Sequence, residues 1–318
     1  MDIKEYIARR ILYALFVIYF VATMVFFSVR AIPGDPVSLM LGSSAGPTAR
    51  QALREELGLN QPIYIQYIEW LASILRGDLG QSIFSRQPVL DQLIGVAEPT
   101  LSIGLVGIVI ATIIAIPTGI ISAVRQYRFE DHVATFIAFL GISMPSFWIG
   151  IVLILVFSAT LNVLPAFSYV SFTEGIVPWF RHVLLPAIAV GVPYGGILMR
   201  MTRSSMQEVL NEDYMRTARA KGLDERLVLL KHGLQNALIP VVTIAGILFG
   251  LLLGGVVAVE IVFGYQGLGR LLINSIQRRD FPIVQGSVII ISFLFVFMNL
   301  LIDLVYPVLD PRIRYGGE

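Results

Sequence analysis

The sequence predicts an all-α integral membrane protein with six transmembrane helices and both termini in the cytoplasm. Three features carry that expectation: the composition, the uncharged runs and the placement of the basic residues. Of the 318 residues, 56% are hydrophobic and 14% charged, and the mean hydropathy is +0.78. Soluble domains hold about 45–50% apolar and about 25% charged residues, so both figures speak against a water-soluble globular enzyme. A formal net charge of +1 speaks against a nucleic-acid partner, which demands a strong basic excess. The absence of cysteine excludes disulfides, thiolate metal sites and cysteine nucleophiles, and leaves the compartment open.

Six stretches lack Asp, Glu, Lys and Arg: 11–29, 99–124, 132–173, 182–199, 232–259 and 281–302. A helix crosses a hydrocarbon core about 30 Å thick with about 20 residues, and each stretch is near or above that length. The third has room for one helix and an uncharged loop, with Pro165 marking the exit. Lys4, Arg9 and Arg10 give the first run a basic start. The run is longer than a signal-peptide core of about 7–15 residues, and Arg30-Ala31-Ile32-Pro33 follows it in place of a small-residue cleavage site. It reads as a retained anchor.

Six spans put both termini on one side. With that side cytoplasmic, the inner segments hold fourteen of the 23 basic residues, whereas the short outer loops hold only Arg181, Arg270, Arg278 and Arg279. Positive residues mark the inner side, so the termini face inward. Segment 30–98 is too long to weigh in that count. The chain thus divides into residues 1–98, the first helix with a long extracytoplasmic loop, and residues 99–318, a five-helix core with a cytoplasmic hairpin at 201–236.

The outer loop opens on Pro33-Gly34-Asp35-Pro36, a turn cluster that stops the first helix. Thr48 suits the cap of a helix over 49–57 with Gly58 at its end. Ile63, Tyr67, Trp70, Leu71 and Ile74 then recur at helical spacing. Tyr64, Tyr67 and Trp70 fit a helix lying at the membrane surface, and fit equally a helix packed on the tops of the others.

In the inner loop, Met206, Val209, Leu210, Met215 and Ala218 form an apolar stripe. Gly222 follows as a helix stop able to take the left-handed conformation. Asp224 is placed as the next N-cap, with Leu223 and Val228 as a hydrophobic staple. Six basic residues from Arg203 to Lys231 face Glu208, Glu212, Asp213, Asp224 and Glu225. A nearly neutral surface suits a protein partner better than an anionic one, with an ordinary solvated hairpin as the alternative.

The three lysines precede Glu5, Gly222 and His232, so no Gly-x-x-x-x-Gly-Lys-Ser/Thr phosphate loop exists and the chain is not a P-loop ATPase. His132, His182 and His232 show no metal-ligand spacing and read as interfacial polar residues. Ion-driven transporters place ionisable side chains inside their spans; here only Glu260 and Asp303 qualify, both toward helix ends. Ser146 and His182 lack any nucleophile motif and read as a kink serine and an interfacial histidine. Pro117-Thr118-Gly119, Met144-Pro145, Pro186 and Pro193 interrupt otherwise regular helices by removing backbone hydrogen bonds. Gly246, Gly250 and Gly254, with Gly255 beside them, give one smooth helix face. Pro117, Gly119, Pro145, Pro193, Gly254 and Gly255 are the candidate gating positions of a pore whose helices rearrange; tight static packing accounts for them almost as well.

Segment 214–222, Tyr-Met-Arg-Thr-Ala-Arg-Ala-Lys-Gly, resembles the cytoplasmic Glu-Ala-Ala motif of binding-protein-dependent ABC importer permeases. Arg216-Thr217-Ala218 stands for Glu-Ala-Ala, Gly222 is retained, and His232-Gly233-Leu234-Gln235 stands where the general motif has Ile-x-Leu-Pro. These departures resemble the dipeptide/oligopeptide branch, as do the blocks 33–36, 76–82, 231–240, 263–270 and 309–316. The chain is similar to the B-type permease subunit of that branch. The resemblance implies a type I importer fold in a prokaryotic inner membrane and a pore subunit that is no enzyme and holds no cofactor. It also implies a heterodimer with a second homologous permease, two cytoplasmic ABC ATPases that bind ATP and Mg, and an extracytoplasmic solute-binding protein. Arg216, Thr217, Ala218, Gly222, Leu223, Asp224 and His232 become the ATPase-coupling residues. The substrate implied is a di- or oligopeptide, with an oligosaccharide, nickel complex or glutathione as alternatives. A secondary transporter driven by an ion gradient and a non-transport scaffold are the rival classes.

Overall fold

A computed structural model describes residues 3–31, 37, 41, 46–56 and 58–309 of the chain. The turn block at 33–36, Arg312, Arg314 and the rest of 310–318 lie outside the described residues, as does the side chain of Asp303. Among the described residues all regular elements are helical, and a single isolated bridge joins Gln81 to Pro88.

Helix α1 (Ile3–Ala31) packs along the last helix of the chain. Helix α2 (Pro47–Glu56) starts on a proline, whose missing N–H is not needed in a first turn. The start is two residues earlier than a Thr48 cap implies, and Gly58 beyond its end is left-handed as expected (φ +64°). Helix α3 (Ile63–Leu75) lies on α1: Tyr67 shares a 2.7 Å hydrogen bond with Thr23, and the buried Phe26 ring sits 4.9 Å from Trp70. Tilted and edge-on ring contacts of this kind stabilise beyond the area they bury. Of the two readings for this helix, packing on a neighbour describes Tyr67 and Trp70, while Tyr64 points away and is exposed.

Helix α4 (Val89–Val124) has 36 residues, about 54 Å at 1.5 Å per residue, and begins ten residues before the uncharged run. The division at 98/99 therefore falls inside one continuous helix. Pro117 does not interrupt it; the Thr118 hydroxyl donates to the carbonyls of Ile114 (2.6 Å) and Ala115 (3.2 Å) one turn back.

The third uncharged run departs most from a simple span. Helix α5 (Phe129–Ser143) and helix α6 (Ser146–Leu153, continued as a π-helical segment, Ile154–Thr160) meet at a 103° bend. Met144 is extended (φ −90°, ψ 128°), as steric clash with a following proline requires. Pro145 is thus a break rather than a kink, and the helical chain ends at Thr160 rather than near Pro165.

Helix α7 (Ile176–Leu210) runs unbroken through Pro186 and Pro193. It is followed by α8 (Asp213–Ala220), a turn (Glu225–Leu227), a π-helical segment (Val228–Leu234), α9 (Gln235–Phe263), α10 (Leu268–Arg278) and α11 (Phe281–Leu309). Five helices are long and apolar enough to cross a bilayer, and counting the bent pair α5–α6 as one broken span gives the six expected. The end of α9 and α10 form a second bent pair at 87°, which raises the possible count to seven.

The centre of the bundle is the α4–α7 contact, with Ile103, Leu185, Val190, Leu252, Val256 and Phe263 buried around it. The two backbones nearly touch. A Cβ added to Gly191 would stand 2.7 Å from the Gly107 carbonyl oxygen, and one on Gly119 would stand 2.6 Å from the Thr202 Cβ.

Candidate functional site

One end of the bundle carries the hairpin. Its first arm is the extension of α7 past residue 199. Met206, Met215 and Val228 are fully buried and Ala218 nearly so, with Val209 and Leu210 packed against them. The Met206 and Met215 methyl groups close over Gly233 in the returning segment, at 3.5 and 3.3 Å from where its Cβ would be. The chain therefore covers its own apolar stripe, and Ala218 packs inside the hairpin. Burial wins locally because Val228 and Gly233 return within reach of Met215.

The opposite face of α8 is open. Asp213, Tyr214, Arg216, Thr217, Ala220 and Lys221 are exposed, and the Thr217 hydroxyl bonds back to the Asp213 carbonyl (3.0 Å). Arg216 stands 3.5 Å from Asp213, a surface pair worth little in stability. Gly222 holds the turn with φ +75° and no atom within 4 Å of a would-be Cβ. Asp224 caps the next turn by accepting the Arg226 N–H (2.8 Å). Across the turn, Arg219 donates to Glu225 at 3.1–3.3 Å, and Asn236 Nδ2 donates to the Tyr214 hydroxyl at 2.9 Å. The expected staple is absent: Val228 packs with Met215 and Ala218, and Leu223 stays exposed. His232 is half-buried in the returning segment, where its carbonyl accepts from the same Asn236 amide that reaches Tyr214.

Beneath the hairpin lies a group that sequence reading missed. Asp131, buried in the first turn of α5, receives a two-pronged bond from Arg203 of α7 (Nε–Oδ1 2.8 Å, Nη2–Oδ2 2.9 Å). It also accepts from the Ser122 hydroxyl of α4 and the Tyr127 N–H (3.0 Å). One carboxylate thus fastens α4, α5 and α7 at the base of the hairpin, with the planar fork geometry that makes Arg–carboxylate pairs directional. A signal existed: Asp131 and Arg203 each stand just outside an uncharged run, at the same end of the expected bundle.

The candidate gating positions are dispersed. Gly255 faces the residue after Pro193, the Tyr194 hydroxyl lying 3.1 Å from its Cβ position. Gly119 meets Thr202 further along α7. Pro145 sits at the α5–α6 break, and Gly254 is exposed with nothing around it. The smooth glycine face expected on α9 is therefore split between neighbours: Gly250 is covered by the Phe295 ring of α11, and Gly255 by Tyr194.

At the other end, three carboxylates organise the loops. Glu260, fully buried, accepts from the Thr100 hydroxyl (2.5 Å) and the Arg270 N–H (2.8 Å), while Thr100 Oγ1 accepts the Leu268 N–H (2.8 Å). It caps the start of α10 rather than standing free within a span. Block 263–270 is built for this: Gly264 turns left-handed, Gly267 leaves no room for a Cβ beside the carboxylate, and the Tyr265 hydroxyl donates to the His182 carbonyl (2.8 Å). Block 76–82 ends in Ser82, which donates to Asp280 (2.5 Å) and so ties the long loop to the α10–α11 corner. Glu98 accepts from the Ser171 hydroxyl and the Phe172 N–H. Tyr169 shares a 2.9 Å bond with Ser102, and burial holds its phenol above the ordinary pKa.

With these features in place, comparison with known proteins is direct. Residues 115–315 match the family described as binding-protein-dependent transport system inner membrane component, and residues 3–103 match the N-terminal family of the same membrane components. A probable peptide ABC transporter permease, y4tP of Sinorhizobium fredii, is 41% identical over 98% of this chain and 99% of its own. The glutathione transport system permease GsiC of Escherichia coli K12 is 42% identical over the same shares. A crystal structure of an amino acid ABC transporter with histidines is similar over 70% of this chain and 94% of its own, at 17% identity and a TM-score of 0.45. Family matches over residues 3–103 and 115–315, and relatives 41–42% identical over nearly the whole length, mean that this chain belongs to the family of inner membrane components of binding-protein-dependent transport systems.

Proposed function

We propose that the chain is a transmembrane pore subunit of an ATP-driven, binding-protein-dependent importer for peptides in a bacterial inner membrane. Both ends face the cytoplasm, and the open face of α8 docks on an ABC ATPase. ATP and Mg belong to two such ATPases. A second, homologous permease completes the pathway, and an extracytoplasmic binding protein delivers substrate to the side that carries the long loop. The organisation into residues 1–98 and 99–318 separates the delivery side from the core that rearranges. Pro117, Gly119, Pro145, Pro193, Gly254 and Gly255 are proposed as the points where helices re-orient.

The observation that carries this reading is the construction of α8. Its apolar side is spent inside the chain, its polar side is left open, and the Gly222 turn with the Asp131–Arg203 clamp holds it rigidly on three helices. Such an element transmits force between a bound partner and the spans, as a two-state switch requires. Glutathione, the cargo named for the Escherichia coli relative, is the second reading, since that relative is as similar as the peptide permease. The test is reconstitution with the other subunits in proteoliposomes, with ATPase activity measured as the binding protein is loaded with dipeptides, glutathione, an oligosaccharide or a nickel complex. Stimulation by peptide is expected, and the purified chain alone should hydrolyse no ATP. Turnover by the isolated chain, or uptake driven by an ion gradient without ATPases, contradicts the reading.

A further inference from the structure

A cleft of about 480 Å³ opens at the end of the bundle opposite the hairpin, between the end of the π-helical segment and the first two turns of α7. Its polar lining is Ser158, Asn162, Arg181 and His182; the rest is apolar, including Leu164 and Val177. No Asp or Glu lines it. The two acids of the adjoining segments are already committed, Glu98 to Ser171 and Phe172 and Glu174 to the Ser171 N–H.

The polar groups are held in place with bonding capacity left over. Arg181 spends Nη2 on the Val163 carbonyl (2.9 Å), which fixes the guanidinium and leaves most of its five N–H donors unused. The His182 ring is anchored through Nδ1 to the Pro178 carbonyl (2.8 Å), so Nε2 is its remaining polar atom. Among the described residues, the Ser158 hydroxyl and the Asn162 amide make no hydrogen bond. Asn162 is left-handed (φ +52°), and π-helical turns recur at functional sites. The positive end of the 35-residue helix α7 adds to the same field.

We propose that this cleft binds an oxyanion, carboxylate or phosphate, that carries a short apolar arm, with the Arg181 fork as its principal contact. A planar guanidinium matches both groups through paired N–H bonds. The apolar wall accounts for the arm. Two sources present this chemistry: the free C-terminus of a short peptide in solution, and the headgroup of an anionic phospholipid, since Arg181 stands at the edge of the uncharged run 182–199. Neither depends on the transport reading, because binding is measured directly.

The experiment uses the assembled transporter in nanodiscs. In the first arm, saturation-transfer NMR compares N-acetyl-alanyl-alanine with its C-terminal amide, in discs of zwitterionic lipid only. In the second, native mass spectrometry counts phosphatidylglycerol retained on delipidation. Arg181→Gln should weaken whichever ligand binds by about tenfold to a hundredfold, the range for a bond to a charged group, and Arg181→Lys should fall between. Signal from the acid but not the amide, lost in Arg181→Gln, assigns the peptide carboxylate. Silence from both peptides, with retained phosphatidylglycerol lost in Arg181→Gln, assigns the lipid headgroup. Equal binding of acid and amide, or no change in either arm on substitution, overturns the proposal. If Arg181→Gln does not assemble, the acid–amide comparison on the unaltered protein and the Asn162→Leu variant decide by the same criteria.

Discussion

Substitution of Gly222 separates strain from docking at the hairpin turn. With φ +75° and nothing within 4 Å of a built Cβ, the cost of a side chain there is that of the left-handed backbone alone. For alanine this is about 1–2 kcal/mol; asparagine and aspartate visit the region more readily, and a β-branched valine approaches about 3 kcal/mol. Losses of the smaller size leave a domain folded, so Gly222→Asn, Gly222→Asp and Gly222→Ala should insert, assemble and melt within a few degrees of the parent, with Gly222→Val lowest. Asn and Asp are nearly isosteric, so their difference reports charge. A carboxylate at 222 joins Asp224 and Glu225 on the open side of the turn, beside Lys221. Transport by Gly222→Asn should be close to that of the parent, while Gly222→Asp should be stable and transport-dead. The assays are thermal unfolding of the purified complex and substrate uptake in proteoliposomes. Normal uptake by Gly222→Asp would refute the docking role of the turn. An Asn variant as damaged as the Val variant would refute the open-space argument.

Two further outcomes follow from the buried carboxylates. Asp131→Asn should cost about 3 kcal/mol, the low end for removing one partner of a buried pair, because the Arg203 side chain is 26% exposed. A double-mutant cycle with Arg203→Met, read by thermal unfolding, should then be strongly non-additive, and additivity would show that the clamp carries no coupling. Gly267→Ala drives a methyl into the Glu260 carboxylate and within 2.6 Å of Thr100 Oγ1, an overpacking of about 1–3 kcal/mol. The same change made on Glu260→Ala should cost less, and an equal cost would place the strain elsewhere.

The spans were legible because charge is excluded from hydrocarbon: the first uncharged run stops two residues before the end of α1, and the last begins with α11. What escaped were features set by contacts distant in sequence. Asp131 and Arg203 lie 72 residues apart and Thr100 and Glu260 160 apart, and no periodicity joins them. Pro145 was visible as a perturbation, but proline alone does not distinguish a kink from a 103° break: Pro117, Pro186 and Pro193 sit inside continuous helices. The hairpin stripe was legible as an apolar face, but helical spacing identifies such a side without saying what covers it, and here the returning segment 228–234 does. The motif block around Gly222 marks the segment proposed to dock, and within it the open side of α8 is the one that carries Arg216 and Thr217.

The account rests on that open face meeting an ATPase, and the chain has no native cysteine, which makes single-cysteine cross-linking unambiguous. Arg216→Cys and Thr217→Cys, paired with a scan of cysteines across the surface of the ATPase subunits, should form specific cross-links whose yield changes when ATP is bound. Ser171→Cys, at the opposite end of the bundle, should form none. Cross-linking to an ATPase from residue 171 and not from 216 or 217 would contradict the orientation, the docking face and the proposed coupling together.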